Sequence, residues 1–284
     1  MRTYMKQLLL LAMIFATITA TGSNQPQQES KQEVTQEYRT AAKALLDVVE
    51  FEKTITNRLT ESYKKFSRED NPYVDDIVKE LVRTMPDKMV DIYSKYLTLE
   101  DLKQLTEINK NEIQIKIRNL QPQISKDLEL EGLCIAKGEK SPSEGIVVNK
   151  DFDAAMKEYL KASGFDQQMK QMELVIENYF GMPSGTLNIM SNAKMPDIMT
   201  RIYSKYFTTS EIKQAIALAM TPCYKKFSKH TPAITKDTME ATSQITMDFF
   251  QKIIEEESND TNNSETPSER PKGWFHEKIK SANQ

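Results

Sequence analysis

Residues 85–105 read MPDKMVDIYSKYLTLEDLKQL, and residues 195–215 read MPDIMTRIYSKYFTTSEIKQA. These stretches open a 45-residue match, 85–129 against 195–239, which needs no gap and keeps 17 positions identical. Tyr-Ser-Lys-Tyr recurs at 93–96 and 203–206, and a Pro-x-Ile-x-Lys-Asp pattern at Pro122–Asp127 and Pro232–Asp237. A duplicated sequence implies a duplicated fold. Met89, Ile92, Tyr93 and Tyr96 fall at i, i+3, i+4 and i+7, one face of a helix, as do Met199, Ile202, Tyr203 and Tyr206. Thr98 is followed three residues on by Asp101, and Thr208 by Glu211. A hydroxyl that caps a helix, with an acid at the third position, marks a helix start. Each copy is therefore predicted to have a helix ending near 97 or 207, a tight turn, and a new helix from 99 or 209. Pro122 and Pro232 are expected to stop that helix and open the next.

Outward from this core, apolar residues recur at helical spacing from about 36 to 67, and the second copy resumes the pattern near Asp151. Phe51 matches Phe165 with an offset of 114, so the first copy carries extra residues in the loop Ser67–Tyr73. Ser163-Gly164 marks a helix break that the first copy fills with Val49-Glu50, which permits one continuous helix there. A last helix is expected from about Ala233 to Glu256. With only eight glycines, and Lys, Glu, Gln, Met and Leu frequent, the composition favours helix over sheet. The fold class read from the chain is all-α, two tandem related helical bundles. Unit 1 spans 35–136, a Gly/Pro/Ser-containing linker 137–150, and unit 2 spans 151–256. The polar tail 257–284 is expected to be disordered.

The chain begins with Arg2 and Lys6, an apolar run from Leu8 to Ile18, and small residues at 19–23. This is the pattern of a signal peptide over 1–22, a signal helix removed on export. The run falls short of the roughly 20 residues a membrane span needs, so no stable transmembrane anchor is expected after its removal. The expected location is periplasmic or secreted. Without 1–22 the chain holds 36 basic and 41 acidic residues, a net charge of −5. That balance argues against nucleic acid as a partner, because phosphate binding needs a basic surface.

No motif specifies a reaction. There is no glycine-rich phosphate loop, no nucleophile elbow and no His-Glu-x-x-His. A metal site would want three or four closely spaced Cys, His or acidic ligands, and none is visible, so no metal or other cofactor is expected. Cys134 and Cys223 do not occupy equivalent repeat positions; an oxidising compartment would permit a disulfide between them, with two partly buried thiols as the alternative. His230 follows Cys223 by seven residues, thin support for a catalytic pair. The repeated acids Asp87/Asp197 and Asp127/Asp237 each follow a proline closely and read as early-helix acids at the positive end of the dipole. The repeated tyrosines Tyr93, Tyr96, Tyr203 and Tyr206 read as core rings with hydroxyls at the rim. Lys95 and Lys205 are expected to face solvent or to support a helix C-terminus.

In the second copy, Tyr203, Phe207, Thr208, Glu211 and Ile212 are followed by Thr221-Pro222-Cys223-Tyr224-Lys225-Lys226 and then by Pro232. This pattern resembles the bacterial domain-of-unknown-function family 2059. Tyr224 stands where the family has glycine. The first copy keeps Tyr93, Thr98, Asp101 and Leu102 but carries Asn111-Glu112 in place of the Thr-Pro element, and reads as a degenerate copy. The resemblance implies an exported, all-helical bacterial domain and carries over no activity.

The function expected from these readings is a non-enzymatic exported module of the cell envelope that binds an unidentified protein, peptide or envelope component. Two alternatives stay open. One is an envelope hydrolase using carboxylates in a cleft between the units. The other is a carrier or chaperone for an apolar ligand, suggested by the fifteen methionines.

Overall fold

The structure is a computed structural model, and it describes residues 33–66, 73–165 and 195–263. The expected signal peptide, the loop after Phe66, the segment between the first and second helices of the second copy, and most of the tail lie outside the described residues. Among those described, every regular element is an α-helix. The first copy gives α1 (Gln36–Val48), α2 (Phe51–Phe66), α3 (Val74–Tyr93), α4 (Leu99–Lys110) and α5 (Glu112–Lys137). The second gives α6 (Lys150–Ala162), α7 (Met195–Tyr203), α8 (Thr209–Ala219) and α9 (Pro222–Asn263).

Local chemistry sets the helix starts. The Thr35 hydroxyl accepts from the Tyr38 amide and caps α1, and Asn149 accepts from the Asp151 and Phe152 amides at the start of α6. Thr98 and Thr208 open α4 and α8 with complete capping boxes. The continuous helix that the sequence permits over 36–67 is interrupted after Val48. Glu50 takes φ +52°, and Gly164, its counterpart at offset 114, takes φ +74°. Both copies therefore break the helix at the same place in the left-handed region. The second copy uses the residue without a Cβ, while the first holds a glutamate there against its steric preference.

Pro122 and Pro232 do not end helices as expected. Pro86 lies within α3, Pro122 within α5 and Pro232 within α9. An interior proline removes a hydrogen bond and costs about 3 kcal/mol. Burial on the far side offsets this: Ile124 and Ile234, two residues beyond the prolines, are 1 % and 0 % exposed. Burying an isoleucine fully contributes roughly 1.5–3 kcal/mol.

Two hydrophobic cores form, and they do not follow the boundary of the sequence repeat. One gathers Tyr38, Leu45, Ile55, Leu81, Met85, Met89, Tyr93, Leu102 and Leu105 from α1–α4, with Cys223, Ile234 and Ile245 from α9. The other gathers Phe152, Met156, Leu160, Ile198, Ile202, Tyr203, Phe207, Ile212 and Ile216 from α6–α8, with Ile113 and Ile124 from α5. The last helix of each copy thus packs on the other copy. α9 runs along α3 and touches α4, while α5 runs along α7 and touches α8. The sequence repeat divides the chain in the linker, whereas the cores divide it at Asn111 and at Met220–Thr221.

The junction at Asn111 explains the departure of α5. A single residue, Asn111, separates α4 from α5, with extended ψ 139°, and two residues separate α8 from α9. Antiparallel helix pairs are usually joined by about 2–5 residues or more. One residue cannot return α5 onto its own copy, so it departs toward the other. α9 also buries polar residues against α3. The Thr238 and Thr242 hydroxyls bond the Ile234 and Thr238 carbonyls at 2.6 and 2.8 Å, which satisfies them inside an apolar contact.

Candidate functional site

The repeated Tyr-Ser-Lys-Tyr element sits where the copies meet. Tyr93 and Tyr203 end their helices with buried rings. The Ser94 and Ser204 hydroxyls bond the Asp91 and Arg201 carbonyls, both at 2.8 Å, and so help close the turn. That turn projects the next two side chains at the exchanged helix. Lys95 Nζ lies 2.7 Å from Asp237 Oδ2, and the Tyr96 hydroxyl donates to the same oxygen at 3.1 Å. In the other half, Lys205 Nζ lies 2.9 Å from Asp127 Oδ2, and the Tyr206 hydroxyl donates to it at 2.8 Å. Both lysines therefore make ion pairs between the copies instead of facing solvent or tending a helix end. Asp127 and Asp237 lie well inside α5 and α9, not at helix starts, so their role is to receive these clamps.

A second pair of contacts repeats the relation. Asp101 accepts from the Thr98 amide at 2.7 Å and from Lys226 on α9 at 2.9 Å. Glu211 accepts from the Thr208 amide at 2.8 Å and from Lys116 on α5 at 2.6 Å. The capping-box acids thus join the copies as well as start helices. Lys116 also lies over the Phe207 ring, 5.2 Å from its centroid.

The electrostatics follow from these partners. Partial burial pushes the Asp127 carboxyl up, but Lys205 and Tyr206 more than offset it and hold it below the usual carboxylate range. Partial burial likewise opposes ionisation of Asp101, and Thr98 with Lys226 overcomes it. Lys116 foremost, with the Thr208 amide, lowers Glu211. Burial first, then the Asp237 carboxylate, pushes the Tyr96 hydroxyl up to about 12. Three of the seam carboxylates are thus held ionised, and all four are already partnered. A general acid at neutral pH needs the opposite environment.

The remaining candidates fall as follows. Cys134 and Cys223 are both free thiols in the structure, Cys134 half-buried and Cys223 buried. Cys223 is buried, its thiol donates to the Asp101 carbonyl at 3.3 Å, and burial pushes its pKa up to about 11, the character of an inert thiol. His230 is buried with its ring packed on Tyr96, centroids 5.6 Å apart. Asp87 pairs with Lys43 at the surface of mid-α3, so it too is not an early-helix acid, while Asp197 is in the first turn of α7. Pro222 is the first residue of α9, where its missing amide costs nothing. Among the described residues, no group of three or more His, Cys, Asp or Glu is placed to hold a metal ion, and no helix is long and apolar enough to cross a membrane. Sequence reading missed Lys116 and Lys226. The available signal was their identity in both copies at the 110-residue offset.

Comparison with known proteins agrees with one part of this picture. A family model described as "Uncharacterized protein conserved in bacteria (DUF2059)" matches residues 193–252. The match takes in α7, α8 and most of α9, the part of the second copy that carries Lys205, Tyr206, Glu211, Lys226 and Asp237. The chain resembles this uncharacterised bacterial family over that segment. No curated protein and no solved structure matches the chain.

Proposed function

We propose that this chain is a non-enzymatic binding or interaction module of the bacterial cell envelope, exported by its N-terminal segment. The observation that carries the reading is the use made of the repeated acids. Asp101, Asp127, Glu211 and Asp237 are the carboxylates that a hydrolase between the copies would employ, and each is taken up by a lysine and by Thr or Tyr donors. The repeated polar chemistry is spent on joining the halves. The surface between the seams is left for partners. On α5, Leu130 and Leu133 are 48 % and 51 % exposed, whereas their counterparts at offset 110 are Glu240 and Ser243. One half thus presents apolar side chains where the other is polar.

The test is cross-linked capture by the mature protein from its native envelope, together with assay of envelope polymers for released products. The reading expects a species retained by the wild type and lost with Leu130→Glu/Leu133→Glu. Product release that disappears with Asp127→Asn would favour the hydrolase and overturn the reading.

A further inference from the structure

The exchange of α5 and α9 divides the chain into a left part, 33–137, and a right part, 150–263, joined only by the linker 138–149. Each clamp runs between left and right: Lys95 to Asp237, Lys205 to Asp127, Lys226 to Asp101 and Lys116 to Glu211. Each core also draws on both parts. The right part of a second copy would satisfy every one of these contacts equally well. What selects the single-chain arrangement is therefore the linker.

The linker is held by a polar cluster that breaks the symmetry of the repeat. Glu131 on α5 is 2 % exposed; its carboxylate accepts from the Ser141 hydroxyl and, at 2.7 Å, from the Ser143 amide. Ser143 is fully buried, and its hydroxyl accepts from Arg201 Nε on α7 at 3.1 Å. The residues at offset 110 from Glu131 and Arg201 are Ala241 and Asp91, so the other half has no such cluster. Among the described residues it is found where the linker passes. With residue 143 tied down, six residues remain before α6, a reach of about 20 Å at full extension. With the cluster released, the chain between the Gly138 cap of α5 and the start of α6 is the eleven residues 139–149, a reach of about 36 Å at full extension.

We propose that this chain has a second assembled state, a helix-exchanged dimer with a second copy of itself, and that the Glu131–Ser141–Ser143–Arg201 latch holds it in the single-chain form. A short tethered hinge between two parts that need each other is the arrangement in which swapping is controlled by the hinge alone. The reading is independent of the proposed envelope function.

The test uses the full mature chain with Ser141→Ala/Ser143→Ala, and separately with Arg201→Gln. Mass is read by light scattering over a concentration series after slow warming and cooling. Losing the Ser141 donor to the buried carboxylate and the Ser143 hydroxyl that accepts from Arg201, while the Ser143 amide keeps its bond to Glu131, changes each latch by about tenfold, the factor equivalent to about 1.4 kcal/mol, so the two latches of a dimer change its formation constant by about a hundredfold. The expected result is a species of twice the mass with unchanged helical circular dichroism. Heavy and light isotope-labelled dimers should mix only after warming, because exchange requires the cores to open. Variants that keep the wild-type fold and remain single-chain throughout would overturn the proposal. So would dimers that mix at once in the cold, or loss of the cooperative melt in both variants, which would make the linker contacts a requirement for folding.

Discussion

Lys95 reaches across 142 residues of chain to place its ammonium 2.7 Å from the Asp237 carboxylate. Its repeat counterpart Lys205 does the same to Asp127 at 2.9 Å. Each copy therefore offers a lysine and a tyrosine from its turn, and an aspartate from its last helix, to the other copy. The two aspartates are only 17 % exposed, so these pairs are better shielded than ordinary surface ion pairs.

A double-mutant cycle on Lys95→Met and Asp237→Asn should show both single changes destabilising, with a coupling energy of about 1 kcal/mol. Lys205→Met with Asp127→Asn should give a coupling of similar size. Urea denaturation of the four proteins in each cycle measures this. Strict additivity at both pairs would mean that the clamps contribute nothing as pairs.

The depressed carboxylates set an acid limit. The ordinary values are 3.8 for Asp101 and Asp127 and 4.5 for Glu211, and all three lie lower in the folded chain. A group lowered on folding contributes its full stability above the unfolded value and loses it as the pH falls through the folded value. Stability should hold from neutral pH to about 5 and decline below about 4.5. The urea midpoint across that range is the measurement, and a midpoint unchanged down to pH 3 would contradict the assignment.

Much of the local fold is legible in the residues that make it. Thr98 with Asp101 and Thr208 with Glu211 announce helix starts, and the spacing of Met89, Ile92 and Tyr93 announces a buried face. The exchange is not legible in the same way. A repeat says which segments fold alike, and nothing about which copy each helix packs against. The physical signal lay in the one-residue junction at Asn111. Pro122 and Pro232 misled because local propensity favours a helix end there, while burial of Ile124 and Ile234 in the opposite cores carries the helices through. Thr238 and Thr242 carry no apolar signal of burial in the sequence, and their hydroxyls, bonded back to the carbonyls one turn earlier, are what let them lie against α3. Glu50 hid a break because nothing in a glutamate advertises a positive φ.

That break gives a clean test of the duplication. Glu50→Gly should raise Tm by about 2–4 °C, the shift that corresponds to about 1 kcal/mol in a chain of this size, by relieving left-handed strain. Gly164→Ala should lower it by a similar amount. A thermal melt in which the first change destabilises would mean that Glu50 is held there by contacts stronger than the strain.

Tyr203 and Tyr93 are 7 % and 4 % exposed and lie one in each core. Truncating either to alanine should cost about 3–5 kcal/mol, as for other large buried aromatics. Equilibrium denaturation of the two variants is the check. Both remaining at wild-type stability would make the rings a recognition surface instead of core.

The most direct test of the exchange is to cut the linker. A protease site placed at residues 144–146 of the folded protein leaves the left and right parts with no covalent connection. Size-exclusion chromatography of the cut protein should return one particle containing both fragments in equal amounts, with the helical circular dichroism of the intact chain. Two separate particles, each with its own cooperative melt, would show that each copy closes its own core and would contradict the exchange.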